Sequence, residues 1–499
     1  MGVKYIHTQM KRCLLTDAGV RNYYLDRDDS HLNAGTQYTD NQLTAAGTEG
    51  YTVNGSFSVD MAGKYLKNVT KDFEAYIISA TSSSLTLHPP MQTTETNWST
   101  TDGATANKLI DSTATFVTDG IEVGMVAVLR DLSDWAVITA INSDTTLSVS
   151  KDIFPSGTKY SLMKGFEVGD EVQVGTALFD GSDGQVVVQI PKFWFKHIYN
   201  DPAHRWDVHH SPKPGYTLHP AFTVGGVEKD FIYISAFEGS VLGARQFSSQ
   251  RLIDFDLATN SLTSLPGLTP LTNGQRSEFR QVAGNRGAGW HQWDQAAQWA
   301  LQLLFMIEHE TMHSQSVYMG FTDWNFSTEV DPLAFNSSLN RAIQQTGYSL
   351  RNGNNSVMSG SGGDASAVFS YRGIENFYGH LWKFVDGINI NDRQPYLSFN
   401  PDDYADDTPT DYLDLGITLP DVNGYIGELH NTAYGLFPKT NNGGSTTYLC
   451  DYYWQSTGWR VVLSGGTTNN IDLAGFATLR ALNSSGYRTP VVGSRACFR

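Results

Sequence analysis

The sequence predicts a mainly β protein with an α+β C-terminal domain, and three of its features predict it. Hydrophobic residues make up 40% of the chain and charged residues only 17%, with Gly, Ser, Thr and Asn abundant, a balance that favours turn-rich β structure over helical bundles. Short runs of alternating apolar and polar residues, separated by Ser/Thr/Asp turns, recur through the first third. One long stretch, by contrast, carries helical periodicity. At 499 residues the chain is too long for one ordinary core, and about 150 residues per domain implies two to four domains.

Residues 1–60 mix apolar and charged side chains without a sustained period and read as an irregular N-terminal docking segment. Residues 61–164 read as small β-barrel or sandwich modules serving as spacers. In the first, Ala75-Tyr76-Ile77-Ile78 leads to Ser84-Leu85-Thr86-Leu87. In the second, Gly124–Leu129 precedes Ala136–Ile141, and Asp144-Thr145-Thr146 turns the chain into Leu147-Ser148-Val149.

A larger domain is expected over 165–499. It opens with one long aromatic strand, Gln185 to Lys196, with Pro191 at an edge or bulge. Its convincing helix spans Asp294 to Met312, where Ala297, Leu301, Leu304 and Phe305 fall at helical spacing and the Asp294 charge suits the first turn.

Lys plus Arg number 34 against 51 Asp plus Glu, a formal charge of −17, and no basic patch relieves it, so nucleic acid is not an expected partner. No apolar run approaches the roughly 18 residues of a membrane span, and no leader-like segment opens the chain; membrane insertion is not expected. Cys13, Cys450 and Cys497 are odd in number and far apart, which favours buried free thiols over a disulfide framework or a metal knuckle.

His309-Glu310-Thr311-Met312-His313 satisfies the HExxH pattern. On a helix two histidines four apart share a Zn²⁺ while the glutamate polarises its water. No third-ligand phrase follows His313, so an ordinary helix end is the preferred reading. A zinc metallohydrolase using His309, Glu310 and His313 stays as a remote alternative, and no metal or other cofactor is expected.

Two phrases, YRGIENFYGHLWKFVDGINI at 371–390 and DYYWQSTGWRVVLSGG at 451–466, with GSRACFR at 493–499, resemble the C-type-lectin-like fold of formylglycine-generating-enzyme relatives and of phage variable proteins diversified by retroelements. The segments IPKFWFK at 190–196 and NRGAGWHQWDQAAQWALQLLFMIEHE at 285–310 look like the upstream half of the same phage family, and NKLIDSTATFVTDGIEVG at 107–124 resembles modules of phage tail and neck proteins. Glycines 373, 379 and 387 allow tight turns in the aromatic stretch, while Trp382 and Phe384 supply apolar surface. Arg372 with Glu375, and Asp386 with Arg460, are candidate charge pairs.

The resemblance implies a virion structural protein, a tail-fibre or spike-like adhesin made in the bacterial host cytoplasm, that binds a host-surface glycan or protein without covalent chemistry. Other virion proteins would meet the N-terminal segment, and a homo-oligomer, by analogy a trimer, is expected. The alternative is a capsid, neck or tail decoration protein without a receptor. By the same resemblance, loops at 465–490 display the ligand-contacting side chains: Thr467, Thr468, Asn469, Asn470, Asp472, Phe476, Thr478, Arg480, Asn483, Ser485, Tyr487 and Arg488. Small polar residues with scattered aromatic and Arg positions suit an adaptable face.

Enzyme chemistry of that fold is not expected, because the copper-dependent oxidation needs closely spaced cysteines and Cys450 and Cys497 are far apart. Neither Glu-Pro-Asn nor Gln-Pro-Asp appears, so calcium-dependent sugar binding lacks its motif. The acidic run Asp402–Asp407 reads as a solvated loop.

Overall fold

The computed structural model describes residues 2–24, 35–38, 48–49, 52–54, 57–68, 73–87, 99–129, 135–163, 172–175, 178–242, 255–322, 346–347, 349, 357–358 and 368–499. The fold is mainly β: strands dominate, and three α-helices occur among the described residues, α1 (Gly2–Gln9), α2 (Arg276–Gly284) and α3 (Gln295–His309).

The chain is nested rather than serial. Strand Lys11–Leu15 pairs antiparallel with Gln185–Pro191, placing Cys13 opposite Val187, across an intervening span of about 170 residues. Within that span, strands from 35–38, 48–49, 52–54, 65–68, 73–80 and 84–87 join 172–175 in one seven-stranded sheet. Strands from 99–100, 108–110, 126–129, 135–143, 146–149 and 159–163 build a separate six-stranded sheet. The second module is therefore inserted into the first, and the first into the large body.

This organisation differs from the serial division at residues 60 and 164. The first 24 residues supply a helix and two strands to the large body. Arg12 is fully buried and donates to the Gly373 carbonyl and to Ser349. Sequence periodicity cannot reveal this, because the pairing partner of a strand lies outside any local window.

The second module has its own core of Leu109, Phe116, Ala127, Ile138, Leu147, Phe154 and Tyr160. Asp111 ties its turn together, accepting from Thr113 Oγ1 at 2.6 Å and from the Tyr160 hydroxyl at 2.8 Å.

In the large body, a six-stranded sheet runs in the order 21–24, 11–15, 185–191, 231–235, 496–498, 290–292. Gln185–Ile190 are all buried because both faces are covered. Val186, Val188 and Ile190 join the main core, whereas Val187 joins a second cluster with Trp290, Trp382 and Phe384. The long aromatic strand expected here breaks after Pro191, and Trp194–Asn200 enters a separate hairpin with Ala203–His209.

Helix α3 is buried on every side from Gln295 to Met306, which explains its wide apolar composition. Asp294 caps it, accepting from the Ala297 amide at 2.8 Å. Against it lies the C-terminal sheet, whose central strands are Trp382–Asn391, Trp459–Gly465, Gly475–Asn483 and Tyr452–Gln455. Gly379 and Gly387 both have positive φ, and a Cβ on Gly379 would stand 2.9 Å from the Phe321 backbone, so these turns require glycine.

Candidate binding face

Along Gly475–Asn483, Ala477, Leu479 and Ala481 enter the main core. Period-two alternation turns Arg480 to the opposite side. The neighbouring strand, Tyr452–Gln455, runs parallel and sets Trp454 beside Arg480 and Tyr453 beside Leu479. Tyr453 is buried in the core, which leaves Tyr452 and Trp454 on the side of Arg480. Strand Gly424–Tyr425 then places Tyr425 beside Tyr452.

A continuous aromatic row results. Trp382 and Trp454 meet edge to face with centroids 5.5 Å apart, Trp454 and Tyr452 are 4.5 Å apart, and Tyr452 and Tyr425 are 5.0 Å apart. The Arg480 guanidinium lies 5.5 Å from the Trp382 ring centre and 6.0 Å from that of Tyr487. Among the described residues Arg480 makes no hydrogen bond or ion pair, and its Nε is buried without a partner. At the other end, the Tyr425 hydroxyl donates to Asp472 at 2.8 Å; burial and this carboxylate push its pKa up to about 12.

The loop that follows strand Trp459–Gly465 is anchored from beneath. Thr467 Oγ1 and the Thr468 amide donate to the His380 carbonyl at 2.9 and 3.2 Å, and Gln315 Nε2 donates to the Ile471 carbonyl at 2.7 Å. His380 in turn belongs to a buried cluster with Glu238 and Lys383, the last two 3.1 Å apart. Burial lowers the Lys383 amine to about 8 despite the Glu238 charge.

Of the twelve expected contact residues, Thr467, Thr468, Phe476 and Thr478 are buried and leave the displayed set. The two threonines at 467 and 468 serve the loop anchor. Phe476 stacks on Phe305 of α3, at 5.4 Å, because a register irregularity between Ser464 and Gly465 turns it inward. Thr478 faces outward but is covered, donating to the Leu473 carbonyl at 3.0 Å. Asn469 and Asp472 are exposed; Asn470, Arg480, Asn483, Ser485 and Tyr487 are half-buried. Ser485 donates to Asp407, and Arg488 is exposed and pairs with Glu278 at 3.0 Å. Arg480 and Tyr487 are thus brought together on one face, with Asp472 reaching its far end through Tyr425.

Sequence reasoning missed Tyr425, Tyr452 and Trp454 as surface residues. The alternation within Tyr452-Tyr453-Trp454 was the available signal, since period two puts the first and third on one face.

The HExxH pattern is not a helical pair. Helix α3 ends at His309, not Met312, because Glu310 adopts left-handed geometry with φ 52°. His313 instead caps the following turn, its Nδ1 accepting from the Ser316 amide at 3.1 Å. His309 packs 4.5 Å from the Phe305 ring, and burial lowers its pKa. Among the described residues no group of three or more His, Cys, Asp or Glu side chains is arranged to hold a metal ion.

Both expected charge pairs are replaced. Arg372 binds Glu308, with Nε to Oε2 at 3.1 Å, and Glu375 accepts the Gly347 amide at 3.1 Å. Asp386 binds Arg280, whereas Arg460 donates to Ser456 and to the Trp459 carbonyl. The acidic loop is not simply solvated either: Tyr404 is buried with its hydroxyl on Asp294 at 2.8 Å, and Asp406 accepts from Arg276 and Arg280 at 2.8 and 2.7 Å. Burial would raise the Asp406 pKa, but the two guanidiniums hold it below the usual range. All three cysteines are free and buried.

No family model and no curated protein matches the chain. Among solved structures it is similar to one named Major Tropism Determinant P3c Variant, at 12% sequence identity, over 89% of this chain and 96% of that chain, with a TM-score of 0.23. A likeness that distant supports no conclusion about function.

Proposed function

We propose that this chain is a virion adhesin, a phage tail-fibre or spike-like protein that uses the face around Arg480 to hold a host-surface glycan or protein without covalent chemistry. The observation that carries the proposal is the half-exposed row of Tyr425, Tyr452, Trp454 and Tyr487 around a guanidinium that lacks a partner. Aromatic rings and Arg are the side chains that most often dominate binding energy at interfaces, and here Tyr425, Tyr452, Trp454 and Arg480 stand on sheet strands, with Tyr487 in the turn that follows the strand of Arg480. The phrases at 371–390 and 451–466 that resemble phage variable proteins both contribute strands to this sheet and support the virion setting.

In this proposal residues 35–175 form spacer modules, contacts to other virion proteins come from the N-terminal part of the chain, and the working form is a homo-oligomer. Repeated copies would make weak individual sites sufficient.

The test is binding of fluorescent, multimerised full-length protein to host cells, compared with Tyr487→Ala and Arg480→Ala variants of unchanged circular dichroism. Saturable binding that both substitutions abolish supports the adhesin. A well-folded protein that binds no cells, on particles whose assembly depends on it, overturns the proposal in favour of a decoration protein.

A further inference from the structure

We infer that the ligand of this face carries a carboxylate, and that it is an acidic saccharide whose carboxylate is received by Arg480 and whose ring lies along Trp454 and Tyr487. The inference rests on the adhesin proposal and names the chemistry of its ligand.

Two half-buried guanidiniums, those of Arg393 and Arg480, have no acceptor among the described residues, and Arg480 is the one packed on aromatic rings. In a protein of net charge −17, the guanidiniums of Arg12, Arg276, Arg280, Arg286, Arg372, Arg488, Arg495 and Arg499 all engage carboxylates or carbonyls. Arg480 has rings beneath and beside it and no acceptor among the described residues. A half-buried guanidinium forfeits hydration without gaining hydrogen bonds, a cost that a bound acceptor removes. Its Nε is already desolvated in the free protein, so that cost precedes the arrival of any ligand.

The geometry around the guanidinium selects the ligand. A guanidinium resting on a ring keeps its N–H edge free in its own plane, the arrangement that meets a carboxylate through two parallel bonds. The Trp382 ring is buried and fixes the guanidinium, and Trp454 is set beside Arg480 by the parallel strand register. The half-exposed rings of Trp454 and Tyr487 then offer apolar faces to the C–H side of a sugar. A neutral saccharide would use those rings and offer Arg480 only uncharged hydroxyl oxygens, whereas a carboxylate meets it with two charged acceptors, a hydrogen bond roughly twice as strong. A polyanion attracted by charge alone would be repelled by the protein's overall negative field.

Asp472 does not compete for Arg480, because it is held at the far end of the row by the Tyr425 hydroxyl. It supplies an acceptor for sugar hydroxyls there and disfavours a second negative charge, so a ligand with one acidic residue per binding unit fits better than a densely charged polymer.

The experiment uses the full chain and free sugars as probes: glucuronate, N-acetylneuraminate, glucose and glucose 6-phosphate, read by chemical-shift or saturation-transfer NMR and by competition of host-cell binding. Glucuronate or N-acetylneuraminate is expected to bind in the millimolar range and glucose about tenfold or more weakly. The same preference should appear in competition, and the acid that binds identifies the source. Arg480→Gln should erase the preference for acid over neutral sugar, and Arg480→Lys should restore part of it, because an ammonium keeps the charge and loses the two-point geometry.

Equal binding of glucose and the acids overturns the inference, as does binding of glucose 6-phosphate alone, binding of no probe, or an acid preference that survives Arg480→Gln. Cell binding lost in Tyr487→Ala but untouched by Arg480→Gln or by acidic sugars overturns this inference while the adhesin stands. Absence of cell binding by the wild-type protein overturns both.

Discussion

Arg280 holds both oxygens of the fully buried Asp386 carboxylate, with Nε and Nη2 at 2.6 and 2.8 Å. The pair joins helix α2 to the central strand Trp382–Asn391, and Arg276 and Asp406 extend it into a four-membered network. Removing one partner from a buried pair leaves the other charge without compensation. Asp386→Ala should therefore lower unfolding free energy by about 3–5 kcal/mol in urea denaturation. A loss below about 1 kcal/mol would mean that water already screens the pair.

Asp451 works in the opposite direction. Burial pushes its carboxyl up to about 7, despite the Ala477 amide that donates to it at 2.6 Å. A folded-state pKa raised above the unfolded value makes the folded state the better proton binder. Its contribution is fully present below about pH 4 and is lost as pH rises through about 7. Asp451→Asn, which keeps an acceptor for Ala477, should gain stability relative to wild type as pH rises from about 5 to about 7, by about 1.4 kcal/mol per pH unit. Parallel stability–pH curves for the two proteins would refute this.

Glu310 distinguishes the observed helix end from the HExxH helix. Its left-handed backbone is unfavourable for any residue with a Cβ, so Glu310→Gly should raise stability by up to about 1 kcal/mol. Were residues 309–313 helical, the same glycine would cost about 1 kcal/mol. The sign of the change in thermal midpoint decides between them.

The N-terminal strand offers a fourth test of the fold. Deleting residues 1–24 removes Arg12 and a strand paired along Gln185–Gln189, and should render the large body susceptible to limited proteolysis. Resistance equal to that of the full chain would mean that the segment is a dispensable attachment.

On the proposed face, Trp454→Ala should weaken host-cell binding about tenfold or more, the scale of a central aromatic contact. Because Trp454 also packs on Trp382, some stability is lost, and binding is compared on protein whose circular dichroism matches wild type. Tyr425→Phe, which removes a hydroxyl bonded to Asp472 and Ser445 at a half-exposed site, should leave unfolding within about 1 kcal/mol of wild type. Binding unchanged by Trp454→Ala would remove the row from the interface.

What the sequence determined by itself was local. The period-two runs of the small β modules, the apolar periodicity and Asp294 cap of α3, and the glycines at 379 and 387 all follow from neighbouring residues and intrinsic backbone preferences. Tertiary structure alone decided the rest. Which strand pairs with Lys11–Leu15, which acid meets Arg372 or Asp386, and which of Thr467, Phe476, Arg480 and Tyr487 reach solvent depend on partners up to hundreds of residues away. The physical reason is that a strand specifies alternation but not its neighbour, and a charge specifies a need for a partner but not which one. Packing of the two sheets around α3 supplies those choices and leaves Arg480 on its rings without one.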